Sequence, residues 1–102
     1  MPREDLENLG GTIHGGVLAA LLDTVMGAAL HTRLSTAQKF ATIDLNVTYL
    51  RPLSRASGVM RGTGRVVNAG QRIAYVEGEI RDSSAALAVH AVGNFALLSP
   101  PG

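Results

Sequence analysis

Two features in the first third of the chain could take part in chemistry. One is the run His14-Gly15-Gly16, and the other is a lone carboxylate, Asp23. No other acid lies between Glu7 and Asp44, and the helical neighbours of Asp23 are Ala19, Leu22, Val25 and Met26. A carboxylate in apolar surroundings is costly unless it finds hydrogen-bond partners. Asp23 is therefore expected either to bond Thr24 or a strand amide, or to act as a general base or nucleophile in a partly dry site. The glycines stand where a helix should begin. The first amides of a helix have no intrahelical partner and lie at the positive end of its dipole. Without side chains at Gly15 and Gly16, a ligand oxygen could approach those amides, as in an anion site or oxyanion hole. His14 reads as a cap or a packed side chain. With no cysteine and no second histidine at ligand spacing, a metal site is not expected.

Spacing separates the two features. Gly15 and Asp23 lie eight residues apart on one helix, which at 1.5 Å per residue is roughly 12 Å. A general base works within about 3 Å of its target. The two residues cannot serve one small reacting centre within a chain. In a twofold dimer with antiparallel helices, Gly15 of one protomer can face Asp23 of the other.

The elements that must position these groups follow from hydrophobic period. Val17, Leu18, Leu21, Leu22, Val25, Met26, Ala29 and Leu30 recur at helical spacing and predict one helix from Val17 to about Arg33. The period then changes. Ala41, Ile43, Leu45, Val47 and Tyr49 alternate with polar residues, predicting a strand with one buried face that Pro52 ends. Two more strands, Val59–Asn68 and Arg72–Asp82, are joined through Asn-Ala-Gly-Gln, where Gly70 could supply a positive φ. Ala86–Leu98 forms the last strand. Hairpin-length links predict antiparallel neighbours and an α+β fold, a curved antiparallel sheet wrapped around one long helix. An open sheet edge would favour dimerisation.

Composition bounds the function. The chain has 102 residues and reads as one domain over 1–102; it is 46% hydrophobic and carries a net charge of +1. That balance offers no global field for nucleic acid or an anionic membrane. Arg51, Arg55, Arg61, Arg65 and Arg72 fall in a stretch free of acids, either as solvated strand faces or as a local patch for a phosphate-bearing ligand. No signal peptide is visible, the apolar run from Val17 to Leu30 is too short for a membrane span, and the expected compartment is the cytoplasm.

Asn8, the His14-Gly15-Gly16 run, Asp23 and TIDLNVTYLRP at 42–52 together resemble the hotdog-fold acyl-CoA thioesterases, most closely the phenylacetate-degradation group. The resemblance continues through GRVVNAGQRIAYVEGEIRD and LAVHAVGNF. It implies hydrolysis of acyl-CoA to free acid and coenzyme A by dimers or tetramers. No cofactor is needed, since coenzyme A enters as part of the substrate. It implies Asp23 as general base or nucleophile, with the Gly15 amide polarising the thioester carbonyl and the Asn8 amide assisting. His14 would line the site, and Thr42 would orient the attacking water. Asp23 and Thr42 would come from one subunit and the Asn8–Gly15 loop from its partner. Coenzyme A would lie along Tyr49 to Arg51 near Gly16, and along Asn68, Gly70 and Gln71, with Arg51 or Arg72 meeting phosphate. Only seven residues precede Asn8, so the family's first strand is expected to be shortened or missing. Strict alternation puts Thr42 on the face opposite Ile43 and Leu45 unless a bulge intervenes. The alternative reading is a non-catalytic acyl-CoA-binding or regulatory hotdog domain.

Overall fold

The computed structural model describes residues 15–34, 38–54 and 58–98. Helix α1 spans Gly15–His31, and four strands follow: β1 Lys39–Tyr49, β2 Arg61–Ala69, β3 Ile73–Arg81 and β4 Leu87–Leu98. They form one antiparallel sheet in the order β1-β4-β3-β2. This is the hotdog arrangement of a curved sheet around one helix. The helix begins two residues earlier than the apolar period suggests, because Gly15 and Gly16 already turn as helix.

Leu18, Leu22, Met26 and Leu30 recur every four residues and form the buried stripe of α1. They meet Ala74, Val76 and Ile80 of β3 and Ala88, Val89, Ala91 and Phe95 of β4, with Leu53 closing one end. Glycines set how closely the layers approach. A Cβ at Gly64 of β2 would lie 2.6 Å from the Val25 carbonyl oxygen and 3.0 Å from the Met26 Cα. One at Gly78 of β3 would lie 2.6 Å from Met26 Cγ. The helix thus rests mainly on β2 and β3, and β1 lies to one side and reaches it through side chains. The Phe40 ring lies 3.2 Å from where a Gly27 Cβ would stand and meets Phe95 edge-on at 5.8 Å.

Three expectations need correction. The strand after α1 does not pair with its sequence successor: β1 lies beside β4, and β2 forms the opposite edge of the sheet. Nor does β1 have one continuous buried face. Ala41, Ile43 and Tyr49 are exposed, while Leu45 and Val47 are half-buried. It is an edge strand to one side of the helix, and its register with β4 shifts between Thr42 and Asp44. That bulge makes Ile43 the extra residue. Gly70 does not use a positive φ: among the described residues such angles occur at Gly58 (75°) and Ala85 (67°). The β2–β3 turn closes through the Gly70 amide, which donates to the Ile73 carbonyl at 2.9 Å.

The outer face of the sheet carries a polar network that links β2, β3 and β4. Glu77 of β3 accepts from Arg65 Nε of β2 at 2.8 Å and lies 3.3 Å from His90 Nε2 of β4. These bonds, from Arg65 first and then His90, hold its carboxyl below the usual carboxylate range. The ionised form is therefore favoured in the folded state. Its contribution to stability is complete above the unfolded-state value and is lost as pH falls through the folded one.

Two outcomes are expected. Gly64→Ala should destabilise by about 2 to 3 kcal/mol, because helix backbone must move, whereas Gly78→Ala should cost less, about 1 to 2 kcal/mol, because its Cβ would press on side-chain atoms of the buried Met26 and not on backbone. Urea midpoints check the order, and equal costs would contradict it. Glu77→Gln should lower Tm at neutral pH and make its decline toward about pH 4 shallower than in the parent. Thermal melts at both pH values decide this, and parallel declines would show that the network does not carry the acid dependence.

Candidate active site

Asp23 lies midway along α1 and is half-buried in the single chain. Its partner is neither Thr24 nor a strand amide. The Thr24 hydroxyl donates instead to the Ala20 carbonyl at 3.0 Å, within the helix. The Thr42 hydroxyl donates to Asp23 Oδ1 at 2.9 Å. The β1 bulge makes this bond possible. After it, Leu45 and Val47 turn toward the helix side; before it, the phase is reversed, so Phe40 and Thr42 turn that way instead. Unbroken alternation predicts the opposite face for Thr42, and that expectation is corrected. Downstream, Asp44 turns outward and accepts from the Asn94 amide nitrogen at 2.9 Å, which holds the bulge against β4.

Gly15 opens the helix at the other end of the site. The Tyr49 hydroxyl donates to its carbonyl at 2.6 Å. A Cβ on Gly15 would lie 3.2 Å from the Tyr49 ring. The tyrosine ring thus seats against Gly15 on the side where a Cβ would stand. Gly16 follows in the same turn. A cleft of about 330 Å³ borders Gly15, lined by Leu18, Tyr49, Leu50, Arg51, Pro52 and Leu53. In the sequence Leu18 reads only as a core position of the helix, and Leu53 only as a leucine after Pro52.

The proposed ligand-binding residues divide between two ends of the sheet. Tyr49 is in register with Val89, and Arg51 faces Asp82 with 3.8 Å between Nη1 and Oδ2. Asn68, Gly70, Gln71 and Arg72 lie at the opposite end, where the Arg72 carbonyl accepts from the Leu97 amide at 2.7 Å. One chain does not gather both groups around one end of a ligand. Nor do the arginines form a single patch. Arg65 pairs with Glu77 and Arg51 with Asp82, while Arg72 is at the far end. The Ser84 hydroxyl, then the Ala86 amide, hold the Asp82 carboxyl below its usual range. Asn8, His14 and Arg55 lie outside the described residues. Among the described residues no three His, Asp or Glu side chains group as metal ligands would, and no helix is long and apolar enough to cross a membrane.

Asp23 and Thr42 therefore lie toward one end of the sheet, on the side of the β2–β3 turn, and Gly15, Tyr49 and Arg51 toward the other. Residues 10–89 match the thioesterase superfamily. The chain belongs to that superfamily. A Halobacterium salinarum protein whose name gives an inferred esterase activity is 42% identical over 79 residues, 72% of this chain and 50% of the relative. The superfamily chain thus spans half the length of that curated relative. A Bacillus halodurans protein solved with CoA superposes with a TM-score of 0.88 at 28% identity, over 95% of this chain and 67% of that one. A phenylacetic-acid-degradation-related protein of Ralstonia eutropha gives 0.84 at 28% identity, over 91% and 68%.

Proposed function

We propose that this protein hydrolyses acyl-CoA thioesters at sites shared between two protomers. The observation that carries the reading is the carboxylate of Asp23 held at 2.9 Å by the Thr42 hydroxyl. Donation to Asp23 commits the hydroxyl proton and leaves the oxygen of Thr42 to accept from a water. That water then lies between an acceptor carboxylate and a hydroxyl that orients it. Asp23 takes a proton from the water as its oxygen bonds to the thioester carbonyl carbon. The carbonyl oxygen becomes an oxyanion. The Gly15 amide at the helix N-terminus of the other protomer, assisted by Asn8, stabilises that charge. The oxyanion collapses, the carbon–sulfur bond breaks, and the departing thiolate takes up the proton held by Asp23. Free acid and coenzyme A result. His14 borders the amide that receives the oxyanion.

The division of groups between the two sheet ends supports a shared site. A twofold axis beside β1 would bring Gly15, Gly16, Tyr49 and Arg51 of one protomer toward Asp23 and Thr42 of the other. The turn Asn68, Gly70, Gln71 and Arg72 lies on the Asp23 side, so both groups of ligand residues could then flank one coenzyme A. The edge of β1 suits such pairing: eleven residues long, it exposes Ile43 and Tyr49. The Bacillus halodurans relative solved with CoA supports the coenzyme as the ligand class. Arg51 lines the Gly15 cleft, and its guanidinium could meet a phosphate.

Asp23→Asn should lower thiol release from acyl-CoA by about 10² to 10⁴-fold, the scale of a lost general base, while the urea midpoint stays near that of the parent. A spectrophotometric screen of aromatic and aliphatic acyl-CoAs checks it, and full activity in the variant would sink the assignment. Binding of acyl-CoA without turnover of any thioester by the parent would favour the non-catalytic reading. Sedimentation should show a dimer or larger assembly, whereas an active monomer would refute the shared site.

A further inference from the structure

Residues 15 and 16 are both glycine, and both lie in the first turn of α1. Glycine loses more conformational freedom than any other residue when it is fixed in a helix, at a cost of about 1 kcal/mol each relative to alanine. A first turn begun by two glycines therefore tends to fray. In the reading above the same turn carries the amide that must meet an oxyanion. Donors of that kind work only when held at about 2.7–3.1 Å from the developing charge, and a misplacement of 1 Å can cost 10²-fold in rate. Something outside the helix must hold it.

Tyr49 is built to do so. Its strand end is clamped, because the Leu50 and Arg51 amides both donate to the Ala88 carbonyl, at 2.8 and 3.1 Å. Tyr49 itself is in register with the fully buried Val89. From that fixed post the phenol reaches the helix, donating its one proton to the Gly15 carbonyl at 2.6 Å. The ring lies 3.2 Å from where a Cβ at position 15 would stand, so a side chain there would press on it. Hydroxyl and ring thus act on the same residue, one by bonding and one by filling space. The proton spent on Gly15 is not free for a ligand.

We propose that Tyr49 is a positioning residue that holds the first turn of α1 through the Gly15 carbonyl, and with that turn the Gly15 amide, and that residue 15 is glycine so that the tyrosine ring can seat against it. This rests on the reading that the Gly15 amide polarises the thioester, and it departs from Tyr49 as a coenzyme A contact. Tyr49→Phe keeps the ring and removes the bond. On an acyl-CoA that the parent turns over, kcat should fall about tenfold with KM changed less than about twofold, since only transition-state stabilisation is lost. Hydrogen exchange at the Ala19 and Ala20 amides, which close the first turn, should quicken several-fold. Gly15→Ala should be far more damaging beside the native ring than in a Tyr49→Ala background, a non-additivity that a contact to coenzyme A would not produce. A rise in KM at constant kcat, or exchange unchanged by Tyr49→Phe, would overturn the proposal. A parent inactive on every acyl-CoA would overturn the hydrolytic reading instead. Exchange at the first turn would then still decide whether Tyr49 tethers the helix.

Discussion

The hydrogen bond between Thr42 and Asp23 depends on one extra residue in β1. Side chains of a strand alternate between faces, so a shift of one residue exchanges every neighbour. With Ile43 inserted between Thr42 and Asp44, the two halves of β1 can both serve the helix side: Phe40 and Thr42 before it, Leu45, Val47 and Tyr49 after it. Remove the insertion and either Thr42 or Tyr49 leaves the helix. The two contacts at the ends of the candidate site, Thr42 to Asp23 and Tyr49 to Gly15, are thus phased by a single irregularity. The pairing of Asp44 with Asn94 holds it in place.

What the sequence discloses and what it hides divide along physical lines. The helix is legible because four buried side chains, Leu18, Leu22, Met26 and Leu30, repeat every four residues along it. The last strands are legible because they alternate against a core, as at Ala74, Val76 and Ile80. The pairing of β1 with β4 is not legible, because strand order is decided by contacts fifty residues apart, such as Asp44 with Asn94. The bulge is also hidden: TIDLNV alternates well enough to mask an insertion, and Phe40, out of phase with Leu45, is its one trace. Asp23 stands out by composition, yet nothing local names Thr42 as its partner.

Gly15 shows how a residue type can be right for a reason different from the obvious one. A glycine at a helix start suggests room for a ligand. Here the Cβ side of that glycine is met by Tyr49, thirty-four residues away, while a cleft still borders the residue. The same economy recurs at Gly27 with Phe40, and at Gly64 and Gly78 beneath the helix. In each case a missing side chain admits a specific neighbour, and the helix is located by those intrusions at several points along its length.

The two free edges of the sheet are not alike. β2 presents Arg61 and Arg65, contains two glycines, and loses register at Val67 through a bulge. Such an edge resists further strand addition. β1 presents eleven residues whose single charged pair of side chains is Lys39 and Asp44, with Ile43 and Tyr49 exposed. A sheet able to add a neighbour on both sides would grow without limit, as fibres do, whereas one open edge and one blocked edge can only close upon a single mate. The arginines of β2 then matter less for what they attract than for what they prevent: they disfavour a further strand at that edge.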